Sequence, residues 1–120
     1  MTDGTAVTVL HVARAFSAQP TLGELLGEEV RVVESPMAEA LTRSELHPDL
    51  VWISSAWAAD VRAVRERFPH ARVLATPQRA ATSQDRVDLI GEADLVLMDE
   101  GVVLAAAGLQ ALSRRLVAVV

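Results

Sequence analysis

The positions directly after several short apolar runs of the sequence are those at which side chains could do chemistry, and most of them are polar. These positions are Ala13 and Arg14 after the first run, Ser54 and Ser55 after the third, Thr76 after the fourth, and Asp99 and Glu100 after the fifth. A serine hydroxyl becomes a nucleophile when a neighbouring base takes its proton, and a helix N-terminus behind such serines can bind an anion. No base that could activate Ser54 is evident in the sequence, and no Ser/His/Asp arrangement is recognisable.

The side-chain types that are missing exclude several kinds of chemistry. All 11 basic residues are arginine, and the chain has no lysine and no cysteine. These absences exclude disulfides, thiolate metal sites, Schiff-base catalysis and the phosphate-binding P-loop. The histidines, His11, His47 and His70, are scattered without helical spacing or an acidic cluster beside them, so we expect no metal site.

The overall charge argues against direct binding to nucleic acid. With 16 acidic and 11 basic residues, the 120-residue chain has a formal net charge of −5, whereas phosphate contacts need a basic face. No segment reaches the roughly 18 uninterrupted apolar residues of a membrane span, and residues 1–4 carry an acid where a secretion signal has a base. We therefore expect a cytoplasmic protein without a membrane contact, with one domain over residues 1–120.

The elements that must position these side chains are strands alternating with helices. Five short apolar runs, typical of strands buried on both faces of a parallel sheet, span residues 6–12, 30–33, 50–53, 73–75 and 95–98. Signals for five helices lie between and after the runs. Gly27 is a stop for the first helix, Ser35-Pro36 is a start for the second, and further helices are predicted over 83–90 and 102–118. The third helix has an apolar face formed by Trp57, Val61, Val64 and Phe68. This alternation predicts a doubly wound α/β domain with five parallel strands in the order 2-1-3-4-5. Ligands bind at the carboxyl ends of the strands in such a sheet.

The chain resembles the receiver domains of bacterial response regulators over essentially its whole length. The resemblance is carried by residues 9–14, 45–54, 71–76 and 92–99. Within them, Pro48-Asp49 before the third strand and Ala93-Asp94 before the fifth are moderately specific in combination. The resemblance implies a flavodoxin-like, receiver-like form of the doubly wound fold.

The resemblance also implies a phosphoacceptor pocket that has lost its chemistry. Receivers hold Mg²⁺ with two acids after strand one, accept a phosphoryl group on an aspartate after strand three, and neutralise it with a lysine after strand five. These positions fall on Ala13 and Arg14, on Ser54 and on Asp99, while the switch aromatic falls on Val96 and only the threonine, Thr76, is kept. Mg²⁺ prefers carboxylate ligands, which Ala13 and Arg14 do not provide. The lysine that neutralises the phosphoryl group is missing as well, because the chain has no lysine. We therefore expect a pseudo-receiver that needs no Mg²⁺ or other cofactor and is not an enzyme.

Two features near this pocket lead to further hypotheses. Arg14 stands at an acid position and Asp99 at the lysine position, so the two are predicted to form a charge-swapped ion pair, or else to lie in solvent with little energetic effect. Trp57 either belongs to the core or, together with Ser55, covers a small-molecule site.

The fifth helix carries more apolar residues than one buried stripe needs, which indicates a partner surface. In receivers, the face made by the fourth helix, the fifth strand and the fifth helix is where dimers and effector domains dock. We therefore predict a homodimer through a face that includes Val96, Val102, Val103, Ala106, Leu109 and Arg114.

Two classes of function remain open. The first is a receiver-like regulatory module that is not phosphorylated, standing alone or as the N-terminal part of a longer regulator. Dimerisation, a partner protein, an effector domain or a ligand would control it in signal transduction or transcriptional regulation. The second is a small-molecule-binding flavodoxin-like domain unrelated to two-component signalling. The second is less favoured because no glycine-rich phosphate loop follows the first strand.

Overall fold

The computed structural model describes residues 7–13, 22–27, 29–98 and 101–118, with side chains as far as Ser113. Five parallel strands form one sheet in the order β2-β1-β3-β4-β5, which confirms the predicted order. The strands are β1 (Val7–Val12), β2 (Val30–Ser35), β3 (Leu50–Ala56), β4 (Arg72–Pro77) and β5 (Leu95–Val96). The helices are α1 (Leu22–Leu26), α2 (Met37–Thr42), α3 (Ala58–Arg67), α4 (Ser83–Glu92) and α5 (Val102–Ala118).

The sheet has an apolar core on each face, as a doubly wound fold requires. Alternate strand residues point to opposite faces, so Leu10 packs with α2, α3 and α4, whereas Val9 packs with α1 and α5. The central strand β3 divides in the same way, with Val51 in the first cluster and Trp52 in the second. The short continuous apolar runs of the sequence are therefore strands covered on both sides. In the part of the chain that is described, no helix has the length and hydropathy needed to cross a membrane.

Two aspartates join neighbouring strands at the amino edge of the sheet. Asp49 accepts the backbone N–H of Thr8 through Oδ2 (2.9 Å), and Asp94 accepts the backbone N–H of Val73 in the same way (2.8 Å). Asp94 also receives both guanidinium NH groups of Arg65, at 3.2 and 3.4 Å. These are the aspartates of the Pro-Asp and Ala-Asp motifs. Both motifs therefore have a structural role, at the edge opposite the candidate site.

Several element boundaries differ from those predicted, and one difference bears on the site. β3 continues to Ala56, so Ser54 and Ser55 lie inside the strand rather than after it. α2 begins one residue late, because Pro36 is its N-cap and Met37 its first residue. α4 continues through Gly91 to Glu92, and its start is fixed by a reciprocal cap in which the Asp85 N–H donates to Thr82 Oγ1 and the Thr82 N–H donates to Asp85 Oδ2.

Candidate functional site

Three side chains that could take part in proton transfer meet at the carboxyl ends of β1, β2 and β3. His11 is opposite Glu34 in the β1–β2 pair and opposite Trp52 in the β1–β3 pair. The imidazole Nδ1 lies 3.3 Å from Glu34 Oε2, and Nε2 lies 3.2 Å from Ser54 Oγ. By strand alternation these residues share the sheet face that α1 and α5 cover. The expectation that Ser54 has no neighbouring base is therefore wrong, because the base comes from another strand.

The His11 ring packs against a tryptophan of the neighbouring strand β3. It stacks on Trp52 with a centroid distance of 4.0 Å and an interplanar angle of 5°. Trp52 is itself buried, and its indole N–H donates to Thr76 Oγ1 at 3.3 Å. Thr76 is fully buried, so the one polar residue that the receiver pattern keeps is a hydrogen-bond acceptor for a core tryptophan.

The protonation state of His11 decides how the Ser54 hydroxyl is oriented. Burial lowers the pKa of His11 below its ordinary value, against the raising effects of the Glu34 hydrogen bond and charge. In the neutral tautomer with its proton on Nδ1, Nδ1–H donates to Glu34, and Nε2 is an acceptor for the Ser54 hydroxyl alongside the Val12 carbonyl. In the protonated ring both nitrogens are donors. The Ser54 hydroxyl then donates to the backbone carbonyl of Val12, which lies 3.2 Å away.

The backbone directly after Ser54 is irregular. The β3–β4 register shifts between Ile53 and Ala56, and Ser55 has a φ of 52°, in the left-handed region that favours glycine. A non-glycine residue in this region costs about 1–2 kcal/mol. Bulges of this kind turn side chains away from the regular ladder, and Ser54 is partly exposed whereas Ile53 before it is buried.

Of the remaining residues of the predicted phosphoacceptor pocket, the structure describes only Ala13. Ala13 is buried, and its N–H donates to the carbonyl of Ser35 at 3.3 Å. Arg14 and Asp99 lie outside the described residues, so their ion pair stays a prediction. No group of three or more histidine, aspartate or glutamate side chains able to hold a metal ion occurs in the described ranges.

Trp57 is the N-cap of α3 and is partly exposed. Its backbone N–H donates to Asp60 Oδ2 at 2.9 Å, which fixes the start of the helix. The N-terminus of α3 is therefore capped from within the helix. The hypothesis that Trp57 and Ser55 cover a ligand stays a prediction.

The predicted partner face needs a correction at two positions. Ala106 and Leu109 are buried against the sheet at 5% and 1% exposure, because they form the inner stripe of α5. Val96 and Val102 are half-buried, whereas Val103 is 65% exposed. The side chain of Arg114 lies outside the described residues.

Sequence reasoning missed four exposed apolar residues besides Val103. They are Val87 and Ile90 on α4, Met98 after β5, and Leu104 on α5. A signal was present for the first two, because they are three residues apart and so share a face of α4, separate from the buried Leu89.

An apolar cleft of about 250 Å³ lies elsewhere, between β1, α1 and α5. It is lined by Val7, Val9, Leu26, Val30, Leu50, Leu109, Gln110 and Ser113. Val7 and Ser54 are at opposite ends of the sheet, so this cleft is separate from the site.

Comparison with known proteins gives a likeness of fold. No protein-family model matches the chain, and no curated protein matches it. Among solved structures it is similar to the crystal structure of a "Putative pilus assembly-related protein" from Burkholderia pseudomallei, with a TM-score of 0.65 and 18% sequence identity over 88% of each chain. The shared feature is the fold. The neighbour supports the doubly wound α/β architecture.

Proposed function

We propose that this chain is a receiver-like regulatory module that works without phosphorylation, by forming a homodimer through α4, β5 and α5. One observation carries the proposal. All the exposed large apolar side chains of the described residues belong to one stretch of the chain, on α4, directly after β5 and at the start of α5. They are Val87, Ile90, Met98, Val103 and Leu104, each 47–65% exposed. Single exposed apolar residues are ordinary, but these residues lie beside the edge strand β5, which α4 and α5 flank on the two faces of the sheet. A concentration of exposed apolar residues around one edge of a domain is typical of an interaction surface.

The chemistry at the site supports independence from phosphorylation. Phosphoryl transfer needs cations that neutralise the charge on the transferred group, such as Mg²⁺ or lysine. The chain has no lysine, and the side chain in contact with the Ser54 hydroxyl is an imidazole whose other nitrogen faces a carboxylate. The Glu34 carboxylate, on the far side of that imidazole, adds negative charge to the site and so disfavours a dianionic phosphoryl group on Ser54.

The dimer can be tested by sedimentation equilibrium at tens of micromolar. We expect a dimer for the unmodified chain and an at least about tenfold higher dissociation constant for Val103→Asp and Ile90→Asp, because each buries an unpaired carboxylate in an apolar interface. Ala38→Asp, on the exposed side of α2, is the matched control and should leave the dimer intact. A monomeric unmodified chain would contradict the proposal.

Pilus assembly is the process in which we propose to examine the module first. The support is the fold shared over 88% of both chains with a protein that carries that assignment. The test is to introduce Val103→Asp into the chromosomal gene and to count surface pili by electron microscopy, with Ala38→Asp as the control. Normal piliation in the Val103→Asp strain would separate this protein from that process.

Small-molecule binding is a second candidate, favoured by the apolar cleft beside β1. Its volume of about 250 Å³ is just below the range of roughly 300–1,000 Å³ usual for ligand sites. An apolar fluorescent probe that binds the unmodified chain and loses affinity in Leu26→Asp, a partly buried position in the cleft, would support it. If the probe instead loses affinity in Val103→Asp or Ile90→Asp, it binds at the partner face and not in the cleft.

A further inference from the structure

We propose that Ser54 is an activated serine that accepts an acyl group from an activated carboxylic ester, with His11 as the general base and Glu34 as the residue that orients His11. This chemistry goes beyond the regulatory function proposed above. It does not require a dimer, so its failure and the failure of the dimer would be seen in different experiments.

The first argument is the geometry of nucleophile and base. Ser54 Oγ and His11 Nε2 are 3.2 Å apart, the upper end of the range for a serine–histidine pair poised for proton transfer. Ser54 is partly exposed, whereas the His11 side chain is only 11% exposed. The nucleophile is therefore partly accessible to a reagent from solvent, whereas the base is buried next to it.

The second argument is the orientation of the base. Glu34 Oε2 is 3.3 Å from His11 Nδ1, on the ring side opposite Ser54. A carboxylate at that nitrogen selects the tautomer with the proton on Nδ1, which leaves Nε2 as the acceptor for the serine proton. Parallel stacking on Trp52 restricts the plane of the ring. The three groups thus take the roles of nucleophile, base and orienting acid from three adjacent strands.

The third argument is that the fold alone does not call for a histidine here. The residues before it on the same strand, Val9 and Leu10, are fully buried and apolar, and an apolar side chain at position 11 would continue that core without the cost of burying an imidazole. Burial also keeps His11 neutral and able to accept a proton. A neutral histidine with a partner at each nitrogen is what general-base catalysis uses.

The reaction can be written with every atom balanced. The Ser54 oxygen forms a bond to the ester carbonyl carbon while its proton passes to His11 Nε2. The bond between that carbon and the leaving oxygen then breaks, and the alkoxide takes the proton from Nε2 or leaves as an anion while the proton goes to solvent. The products are an acyl ester of Ser54 and the free alcohol. Acyl transfer develops one negative charge on a single oxygen, so it does not need the cations that phosphoryl transfer requires.

The test uses p-nitrophenyl acetate and intact mass measurement, followed by mapping of the modified peptide. A chain without lysine gives a low background of acetylation, since the terminal amine and the histidines are the main competing sites. We expect one acetyl group on Ser54, with a rate that rises with pH as His11 loses its proton and then levels. Ser54→Ala should abolish the adduct, and Ser44→Ala, at an exposed serine on a turn, should leave it unchanged.

Two further variants separate an activated serine from a merely reactive surface group. Glu34→Gln keeps the side-chain size at an exposed position and should slow acetylation of Ser54. His11→Gln should slow it by about 100-fold or more, the usual contribution of a general base. The pH profile of the unmodified chain gives the same information if His11→Gln does not fold. Acetyl groups only on the terminus, on Ser55 or on a histidine would overturn the proposal, and so would a rate on Ser54 that is indifferent to Glu34→Gln and to pH.

Discussion

The imidazole Nε2 of His11 lies 3.2 Å from the hydroxyl oxygen of Ser54, the residue that the resemblance to receivers aligns with their phosphoacceptor. The base comes from β1 and the serine from β3, so 43 residues of sequence separate two atoms in hydrogen-bond contact. On the other side of the ring Glu34 holds the second nitrogen. This edge of the sheet therefore carries an imidazole between a hydroxyl and a carboxylate, where the resemblance to receivers implies acids and a metal ion.

The fluorescence of Trp52 should report the ionisation of His11, because the two rings stack at 4.0 Å. In Trp57→Phe, Trp52 is the remaining tryptophan. A protonated imidazole quenches a stacked indole, so we expect the emission to fall on acidification with a midpoint below the ordinary histidine value of about 6.5. The double variant with His11→Gln should lack this transition. A midpoint at or above the ordinary value would show that the raising effect of Glu34 on the pKa of His11 outweighs the lowering effect of burial.

The stability of the fold should depend on pH through the same histidine. The pKa of His11 is lowered in the folded state, so the unfolded chain takes up a proton first as the pH falls. The free energy of unfolding is then highest above the ordinary histidine pKa and decreases as the pH drops below it. Urea unfolding at pH 7.5 and 5.5 should show a larger loss for the unmodified chain than for His11→Gln. Equal losses would mean that the carboxylates alone account for the acid sensitivity.

Asp94 should be the aspartate of the α4–β5 region on which stability depends most. It accepts the Val73 N–H and the Arg65 guanidinium, and its side chain is only 17% exposed. Asp94→Ala leaves these donors without their acceptor, which costs about 1–3 kcal/mol. Asp88→Ala, on the exposed side of α4, should change the free energy of unfolding by less than about 0.5 kcal/mol. Comparable urea midpoints for the two variants would contradict this role for Asp94.

Two glycines give a matched test of backbone conformation. A Cβ at either Gly27 or Gly91 meets nothing within 4 Å, but Gly27 has a φ of 92° whereas Gly91 lies in α4. Gly27→Ala should therefore destabilise the fold by about 1 kcal/mol, since alanine is strained at positive φ. Gly91→Ala should stabilise it by up to about 1 kcal/mol through helix propensity. Thermal unfolding of the two variants should move in opposite directions, and a shift of the same sign in both would refute the distinction.

The doubly wound class could be predicted because continuous apolar runs indicate strands that are buried on both faces of a parallel sheet. The strand order, which the structure confirms, was predicted as the common arrangement for such a domain and not from any residue pattern. The serine–histidine–glutamate network did not follow, because register between strands brings these residues together and spacing along the chain does not show it. Asp94 could be recognised in the sequence only as part of the Ala-Asp motif, because its contacts with Val73 and Arg65 join residues that are 21 and 29 positions apart. Ala106 was assigned to a partner face because an apolar helix does not reveal which of its residues face the sheet.

Association without phosphorylation is tested most directly by sedimentation velocity of the unmodified chain before and after incubation with phosphoramidate and Mg²⁺. Intact mass should be measured on the same samples, and phosphoramidate carries no acyl group that Ser54 could accept. We expect a dimer with the same sedimentation coefficient in both samples and no change in mass. A monomer that gains one phosphoryl group and then dimerises would contradict a phosphorylation-independent module, as would a chain that stays monomeric in both.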